Sequence, residues 1–305
     1  MNRRCFAGTF LFALGVFTVC AQTSPWPFPP NSTARQTIGS STAITATFWN
    51  IQWFPGRRPN ASRAEVERQI RAVHNDVVHL TPDILGLEEV RNFEQASLAV
   101  APLPGFKVDV CSNFPPREGQ KEGQQVAIAS RLQPMSAWAE AWKPGAALTP
   151  PRGFAFAAYQ LSPKQILLVY AVHLKSNRGE IHEDMRIREE SIHQLLSHIK
   201  TMKDAYGKAG ALSWIVGGDF NTSPDDSRFQ GERTCADLMA DQFSWAWDNI
   251  PTSSRITMPP DARYPAASFD QIFYRGASLA KAWVANTSPQ SSDHRAVNAV
   301  LNFEE

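Results

Sequence analysis

Short apolar runs that stop on a carboxylate, an amide or a histidine recur along this chain, and nothing else in it restricts the possible folds as much. Ala46-Thr47-Phe48-Trp49 ends in Asn50, Asp83 to Leu87 ends in Glu88-Glu89, and Leu167 to Val172 ends in His173. Trp214-Ile215-Val216 runs through Gly217-Gly218 into Asp219-Phe220-Asn221, Ser268-Phe269-Asp270 opens another run, and Ser292-Asp293-His294 precedes the last. Runs this short, rich in β-branched and aromatic residues, read as strands. A carboxylate at one strand end means little. A series of polar strand ends predicts one rim where they converge.

The full set of strand-like runs is Ile44 to Ile51, Ile84 to Leu87, Phe106 to Val110, Val126 to Ala129, Phe154 to Leu161, Ile166 to Val172, Trp214 to Val216, Phe269 to Tyr274 and Ala296 to Leu301. Two stretches have helical spacing instead: Arg63 to Leu80, with Val66, Ile70, Val73 and Val77 on one face, and Glu180 to Tyr206, with Ile187, Ile192, Leu195, Leu196 and Ile199. Many strands, few helices and no regular strand–helix alternation predict an α+β fold, a four-layered α/β/β/α sandwich of two mixed β-sheets flanked by helices. No repeat or internal linker interrupts it, so a single domain over residues 43–303 is expected.

The N-terminus reads differently. Arg3 and Arg4 precede a mostly apolar run from Phe6 to Val19, too short to span a bilayer comfortably, and Val19 and Ala21 satisfy the small-residue rule for cleavage. Residues 1–21 are expected to be a signal peptide and residues 22–42, rich in Ser, Thr and Pro, a flexible leader, which predicts a secreted or periplasmic protein. A buried N-terminal helix is the alternative. A lipid anchor on Cys20 is disfavoured by Phe17, Thr18 and Val19 before it. Cleavage removes Cys5 and Cys20 and leaves Cys111 and Cys235, too few for a zinc site, and either a single disulfide or two free thiols.

Thirty basic residues against 29 acidic ones leave a net charge of +1, so no global field draws in a polyanion and nucleic-acid binding has to be argued from a site. The residues at the strand ends suit attack of water on a phosphoester. Glu89 and Asp293 are suitable ligands for Mg²⁺, a hard cation that takes oxygen donors, with Asn50 adding an amide oxygen directly or through water. Asp270 can hold His294, and Asn221 can donate hydrogen bonds to a phosphate where charge builds.

Trp49-Asn50-Ile51, Leu87-Glu88-Glu89-Val90, His173-Leu174-Lys175-Ser176, Gly218-Asp219-Phe220-Asn221, Phe269-Asp270 and Ser292-Asp293-His294, in that order, resemble the endonuclease/exonuclease/phosphatase superfamily. The resemblance spans about Ala46 to Val300 and implies a DNase-like fold and a metal-dependent phosphoester hydrolase. It implies that Glu89 is the principal metal carboxylate, beside Asn50 and with Asp293 available, and that Mg²⁺, or Mn²⁺, is the cofactor. By the same resemblance His173 contacts the scissile phosphate or protonates the leaving group, Asp219 orients or activates water, Asn221 binds phosphate, and Asp270 orients His294 as base or electrostatic stabiliser. Two positions depart from the pattern. Glu88 stands where glutamine commonly precedes the metal glutamate, and Gln271 follows Asp270 where many relatives carry histidine, arginine or tyrosine.

Plainer readings stand beside these. Asp219 and Asn221 also suit a turn, and His173 also suits a core position. Arg152, Lys175 and Arg178 can reach phosphate oxygens or remain solvated surface charge, and Trp49 and Trp53 can stack on a base or fill the core. Glu118 and Glu122 can orient His173 but read better as an exposed loop, and His74, His79, His182, His193 and His198 as surface or packing residues. The leading expectation is a monomeric, exported nuclease acting on nucleic acid without stable membrane insertion. The alternatives are a phosphatase or sphingomyelinase-like phosphodiesterase, and a secreted binding module that keeps the fold without turnover.

Overall fold

The computed structural model describes residues 43–116, 123–145 and 148–303. The expected signal peptide and leader, and Glu118 and Glu122, lie outside them. In chain order the elements are β1 (Ala43–Phe54), α1 (Arg63–Leu80), β2 (Ile84–Val90), α2 (Phe93–Val100), β3 (Lys107–Cys111), β4 (Gln125–Ser130), β5 (Pro134–Ala141) and β6 (Gly153–Ser162). They continue with β7 (Gln165–His173), α3 (Ile181–Tyr206), β8 (Ala211–Asp219), α4 (Thr234–Ala240), β9 (Ser244–Trp245), β10 (Asp270–Arg275), β11 (Ser278–Val284) and β12 (Val297–Asn302).

Local chemistry sets the helix ends. Ser62 caps α1 in a reciprocal box with Glu65, whose carboxylate accepts from the Ser62 backbone at 2.7 Å, satisfying donors that the first turn would otherwise orphan. Ile70, Val73, Val77 and Leu80 form the buried stripe of that helix. Asn92 caps α2 through Gln95 N–H, and Glu180 caps α3 through His182 and Glu183.

The strands form two six-stranded mixed sheets, ordered β11-β12-β1-β2-β4-β3 and β5-β6-β7-β8-β10-β9. β1 with β2 and β7 with β8 run parallel, and the other pairings are antiparallel. One apolar core, including Phe48, Ile128, Val169 and Ile215, lies between the sheets. A second packs α3 and α4 on one outer face, and a third packs α1 and α2 on the other. The four-layered α+β sandwich predicted from the strand pattern is therefore the observed architecture.

The sheets approach closely around one ring. A Cβ on Gly86 would come within 2.3 Å of the Phe48 ring, and one on Gly217 within 2.4 Å, so both glycines vacate the space that Phe48 fills. Burying such a ring stabilises by about 1.5–3 kcal/mol.

The sequence pattern misses β5 and β11, which are sheet edges with half-buried faces and so carry no continuous apolar run. It also misses the short helices α2 and α4. Cys111 packs against the α1/α2 core and Cys235 lies in the α3/α4 core, on opposite outer faces, so the disulfide alternative is excluded and both thiols are free. Among the described residues no helix is long and apolar enough to cross a membrane.

Candidate active site

Strand register assembles half of the rim. On β7 and β8 His173 is opposite Asp219, and on β10 Asp270 is opposite Asp219, so the three side chains stand abreast at one end of their sheet. In the facing sheet Asn50 of β1 is opposite Glu88 of β2. His294 reaches the same end from the loop before β12: Ser292 Oγ accepts from its amide at 3.0 Å, and Trp49 Nε1 donates to its carbonyl at 3.0 Å. Gly218, at φ +131°, takes a backbone conformation that side chains rarely adopt; a Cβ there would meet the Val172 carbonyl at 2.0 Å.

Glu89 arrives by a different route. Along β2, Leu85 and Leu87 face the helices while Gly86 faces the other sheet, so simple alternation would turn Glu88 inward and Glu89 away from the rim. The ladder shifts between Glu88 and Val90, and Glu89 adopts φ +61°. This bulge re-aims the side chain. The Glu89 carboxylate accepts from Asn50 Nδ2 at 3.3 Å and from Trp53 N at 3.1 Å. Gln52, Trp53 and Asn221 are also left-handed, at φ 44°, 49° and 55°, and all of them line the cavity with Glu89. Such conformations cost on the order of 1–3 kcal/mol each and gather where the surrounding structure enforces a particular side-chain direction.

The cavity has a volume of about 310 Å³. Its lining combines the polar Glu89, His173, Asp219, Asn221, Asp293 and His294 with the largely apolar Trp53, Ile181, Phe229, Met258, Tyr264 and Phe269. Asp219 Oδ2 is the meeting point, 3.0 Å from Asn50 Nδ2, 3.5 Å from His173 Nε2 and 3.9 Å from His294 Nε2. Asp219 Oδ1 accepts from Asn221 N at 2.9 Å. His173 Nε2 also lies 3.8 Å from Glu89 Oε1, and His294 Nδ1 is 2.8 Å from Asp270 Oδ2.

Burial and mutual repulsion disfavour charge on these carboxyls. Burial pushes Asp219 up to about 7, with His294 opposing and Asp270 adding. Burial and then the Asp293 charge raise Glu89 above the usual carboxylate range. Glu88, fully buried, is raised well above it by burial and then by Asp270 and Asp219. Burial opposes a charged His294 ring, but Asp270 and Asp219 outweigh it and lift the ring well above its ordinary value.

This donor set fits a divalent cation. Glu89 and Asp293 line the same cavity and repel one another, and Asp219, Asp270 and His294 form a second set with ligand atoms within 4.8 Å of one another. Asp270 Oδ1 and both Glu88 oxygens are buried without a hydrogen-bond partner. Hard oxygen donors with unmet negative charge suit a hard divalent cation.

Asn50, Glu89, His173, Asp219, Asn221, Asp270, Asp293 and His294 thus gather at one site. Arg178 lines the cavity. Arg152, expected at a phosphate, does not line the cavity, though its charge acts on Glu89. Its Nε donates to the His173 carbonyl at 2.8 Å and its Nη2 to the Leu174 carbonyl, which holds the loop behind the cavity wall. Lys175 likewise pairs with Asp184 rather than facing the cavity. Trp49 is buried in the core, whereas Trp53 lines the cavity. The sequence reading overlooked Gln52 and the wall formed by Arg228, Phe229, Met258 and Tyr264. Arg228 pairs with Asp226 and lies over the rings of Phe229 and Phe269. These loop residues belong to no periodic run, and only the aromatic and arginine content of the loops hinted at them.

Residues 47–294 match the Endonuclease/Exonuclease/phosphatase family. None of the curated proteins compared matches the chain. Among solved structures, the human Nocturnin catalytic domain with bound sulfate anion superposes with a TM-score of 0.63 at 16% identity, over 86% of this chain and 94% of that one. An endonuclease/exonuclease/phosphatase from Beutenbergia cavernae gives 0.62 at 17% identity, over 86% and 72%. TDP2 from C. elegans gives 0.56 at 15%, over 85% and 75%. At such identities the likeness establishes the fold alone.

Proposed function

Because the chain belongs to the endonuclease/exonuclease/phosphatase family of metal-dependent phosphoester hydrolases, we propose that it is an exported phosphodiesterase that cuts nucleic-acid strands with Mg²⁺ or Mn²⁺. One observation carries the reading: a single cavity joins a cation-fitting carboxylate set to a wall of Trp53, Phe229, Tyr264 and Phe269. A phosphodiester fits the first half and a base or sugar the second. Export rests on Arg3, Arg4 and the Phe6 to Val19 run, with cleavage after Ala21, and a monomer is proposed.

Glu89 and Asp293, with Asn50 beside them, would hold the ion, which neutralises phosphoryl charge and steadies the leaving oxygen when bound. Asp219 orients the attacking water and takes its proton, because Asn50, His173 and His294 all converge on its Oδ2. His173, on the rim beside Glu89, delivers a proton to the leaving oxygen. His294, tied to Asp270 through Nδ1, turns Nε2 toward the reacting group and opposes its developing negative charge. Asn221 and Arg178 donate hydrogen bonds to the non-bridging oxygens.

The test is incubation of the chain from Gln22 onward with plasmid DNA, RNA, sphingomyelin vesicles and a chromogenic phosphomonoester, with Mg²⁺ or Mn²⁺ and then with chelator. Metal-dependent strand cleavage is the expected result. Sphingomyelin or monoester turnover without strand cleavage overturns the nucleic-acid reading. No turnover together with no metal binding by calorimetry marks a binding module.

A further inference from the structure

A second cavity, of about 310 Å³, adjoins the catalytic one, and Gln52 borders both. Arg57, Arg58 and Arg68 line it against a single carboxylate, Glu65. Arg58 takes that carboxylate at 2.7 Å. Arg57 uses only Nε, on Gln52 Oε1 at 2.6 Å. Among the described residues the Arg57 Nη atoms and the whole Arg68 guanidinium have no hydrogen-bond or ion-pair partner. The concavity therefore carries uncompensated positive charge next to a site already fitted to a phosphodiester.

Isolated surface arginines are ordinarily solvated and carry no such meaning. Here the turn that presents Arg57 is held rigidly, and Arg68 stands on α1. Gln69, 1% exposed, accepts from Gly56 N and from Arg57 N at 3.0 Å, and donates to the carbonyls of Ile51 at 2.7 Å, Gln52 at 3.1 Å and Ser291 at 2.8 Å. One buried amide thus ties the turn after β1 to α1 and to the loop that bears Asp293. Arg57 has left-handed backbone, φ 66°, within this turn. Arg57, on a fixed backbone and tied at Nε, loses less freedom on meeting an anion than an unanchored arginine, and its planar fork matches a phosphate. The same turn is wired to the reaction: Gln52 Oε1 accepts from Arg57 while Gln52 Nε2 donates to Asp293 Oδ2 at 2.8 Å.

We infer that this cavity is a second phosphate subsite, in which Arg57 and Arg68 hold the phosphate of a nucleic-acid strand next to the one being cut. The inference rests on the strand-cutting reading and sharpens it. A strand carries regularly spaced anions on either side of the scissile one, so one that fills the catalytic cavity extends its next phosphate past Gln52 into the arginines. A small diester with no flanking phosphate gains nothing from them.

The experiment compares wild type, Arg68→Ala and Arg57→Ala on a short single-stranded oligonucleotide and on bis(p-nitrophenyl) phosphate, across a salt series. Arg68→Ala is expected to lower the ratio of the two kcat/KM values by about tenfold or more, through KM, as loss of a charge-assisted hydrogen bond does. The slope of log kcat/KM for the oligonucleotide against log salt becomes shallower by about one, as for the loss of a single phosphate contact. Arg57→Ala gives the same direction. If wild type cleaves the strand and the ratio and slope stay put in both variants, the subsite is overturned while the strand-cutting reading stands. If wild type leaves the oligonucleotide intact, the strand-cutting reading fails and the subsite with it.

Discussion

Nδ1 of His294 stands 2.8 Å from Oδ2 of Asp270 at the floor of the cavity. Asp270 is fully buried and its backbone N–H donates to Thr257 Oγ1 at 3.2 Å, so packing and a fixed main chain limit how far the carboxylate can follow the ring. The pair fixes which nitrogen of His294 is held and which is turned toward Asp219, a geometry that a free histidine would sample only part of the time.

Asp270→Asn keeps the shape and removes the charge that fixes the ring. The expected outcome is a fall in kcat of about 10²–10⁴-fold with KM changed little, since the interaction acts on the transition state rather than on binding. Steady-state kinetics beside a thermal melt check it. An unchanged kcat in a folded variant would remove Asp270 from the reaction.

Glu89 and Glu88 separate by metal titration. Glu89→Gln is expected to raise the Mg²⁺ or Mn²⁺ concentration for half-maximal activity by about tenfold or more, equivalent to at least about 1.4 kcal/mol, and to weaken binding of the metal in calorimetry. Glu88→Gln has a smaller effect on both. The reverse order would shift the metal carboxylate by one position.

Glu88 itself governs a pH dependence of stability. Its folded-state pKa is raised, by burial first, so its contribution is fully present below the unfolded carboxylate value and is lost as pH rises toward the folded one. In chelator, Glu88→Gln should therefore melt higher than wild type at pH 8 and close to it at pH 4. A gain of about 1–3 kcal/mol, or roughly 2–10 °C, matches the cost of a buried unpaired polar group. Equal gains at both pH values would show that charge on Glu88 is not the cause.

Arg152→Ala separates a structural role from a phosphate contact. Loss of its hydrogen bonds to the His173 and Leu174 carbonyls should cost about 1–3 kcal/mol and lower the melting temperature by several degrees. kcat drops with it as His173 loosens, while affinity for inorganic phosphate stays within about twofold. Arg178→Ala is expected to do the opposite, weakening phosphate binding with the melt unmoved. A phosphate-affinity loss in Arg152→Ala would restore the direct contact.

Much of the site could be read from the chain because the last residue of an apolar run is also the end of a strand. His173 and Asp219 end β7 and β8 and are placed by that rule alone, and the parallel register of the two strands then sets them side by side; β1 instead runs on past Asn50 to Phe54, with its ladder shifted there. The choice of Glu89 over Glu88 came from the family resemblance, since alternation along β2 argues for the other residue and only the bulge explains it. The position of Arg152 was not legible, because residue type shows that a guanidinium is present but not which carbonyls it will meet. The strands β5 and β11 and the wall around Phe229 and Tyr264 depend on long-range packing, which leaves no periodic trace in their own residues.

Phe48 sits where Gly86 and Gly217 leave no side chain. The three positions therefore share one volume, and none of them can vary on its own terms. Enlarging either glycine displaces the ring, and shrinking the ring leaves a hollow that an alanine at either glycine could refill. In a mutational library these substitutions should be tolerated as compensating sets rather than singly, with the width of the catalytic end inherited from whichever set survives.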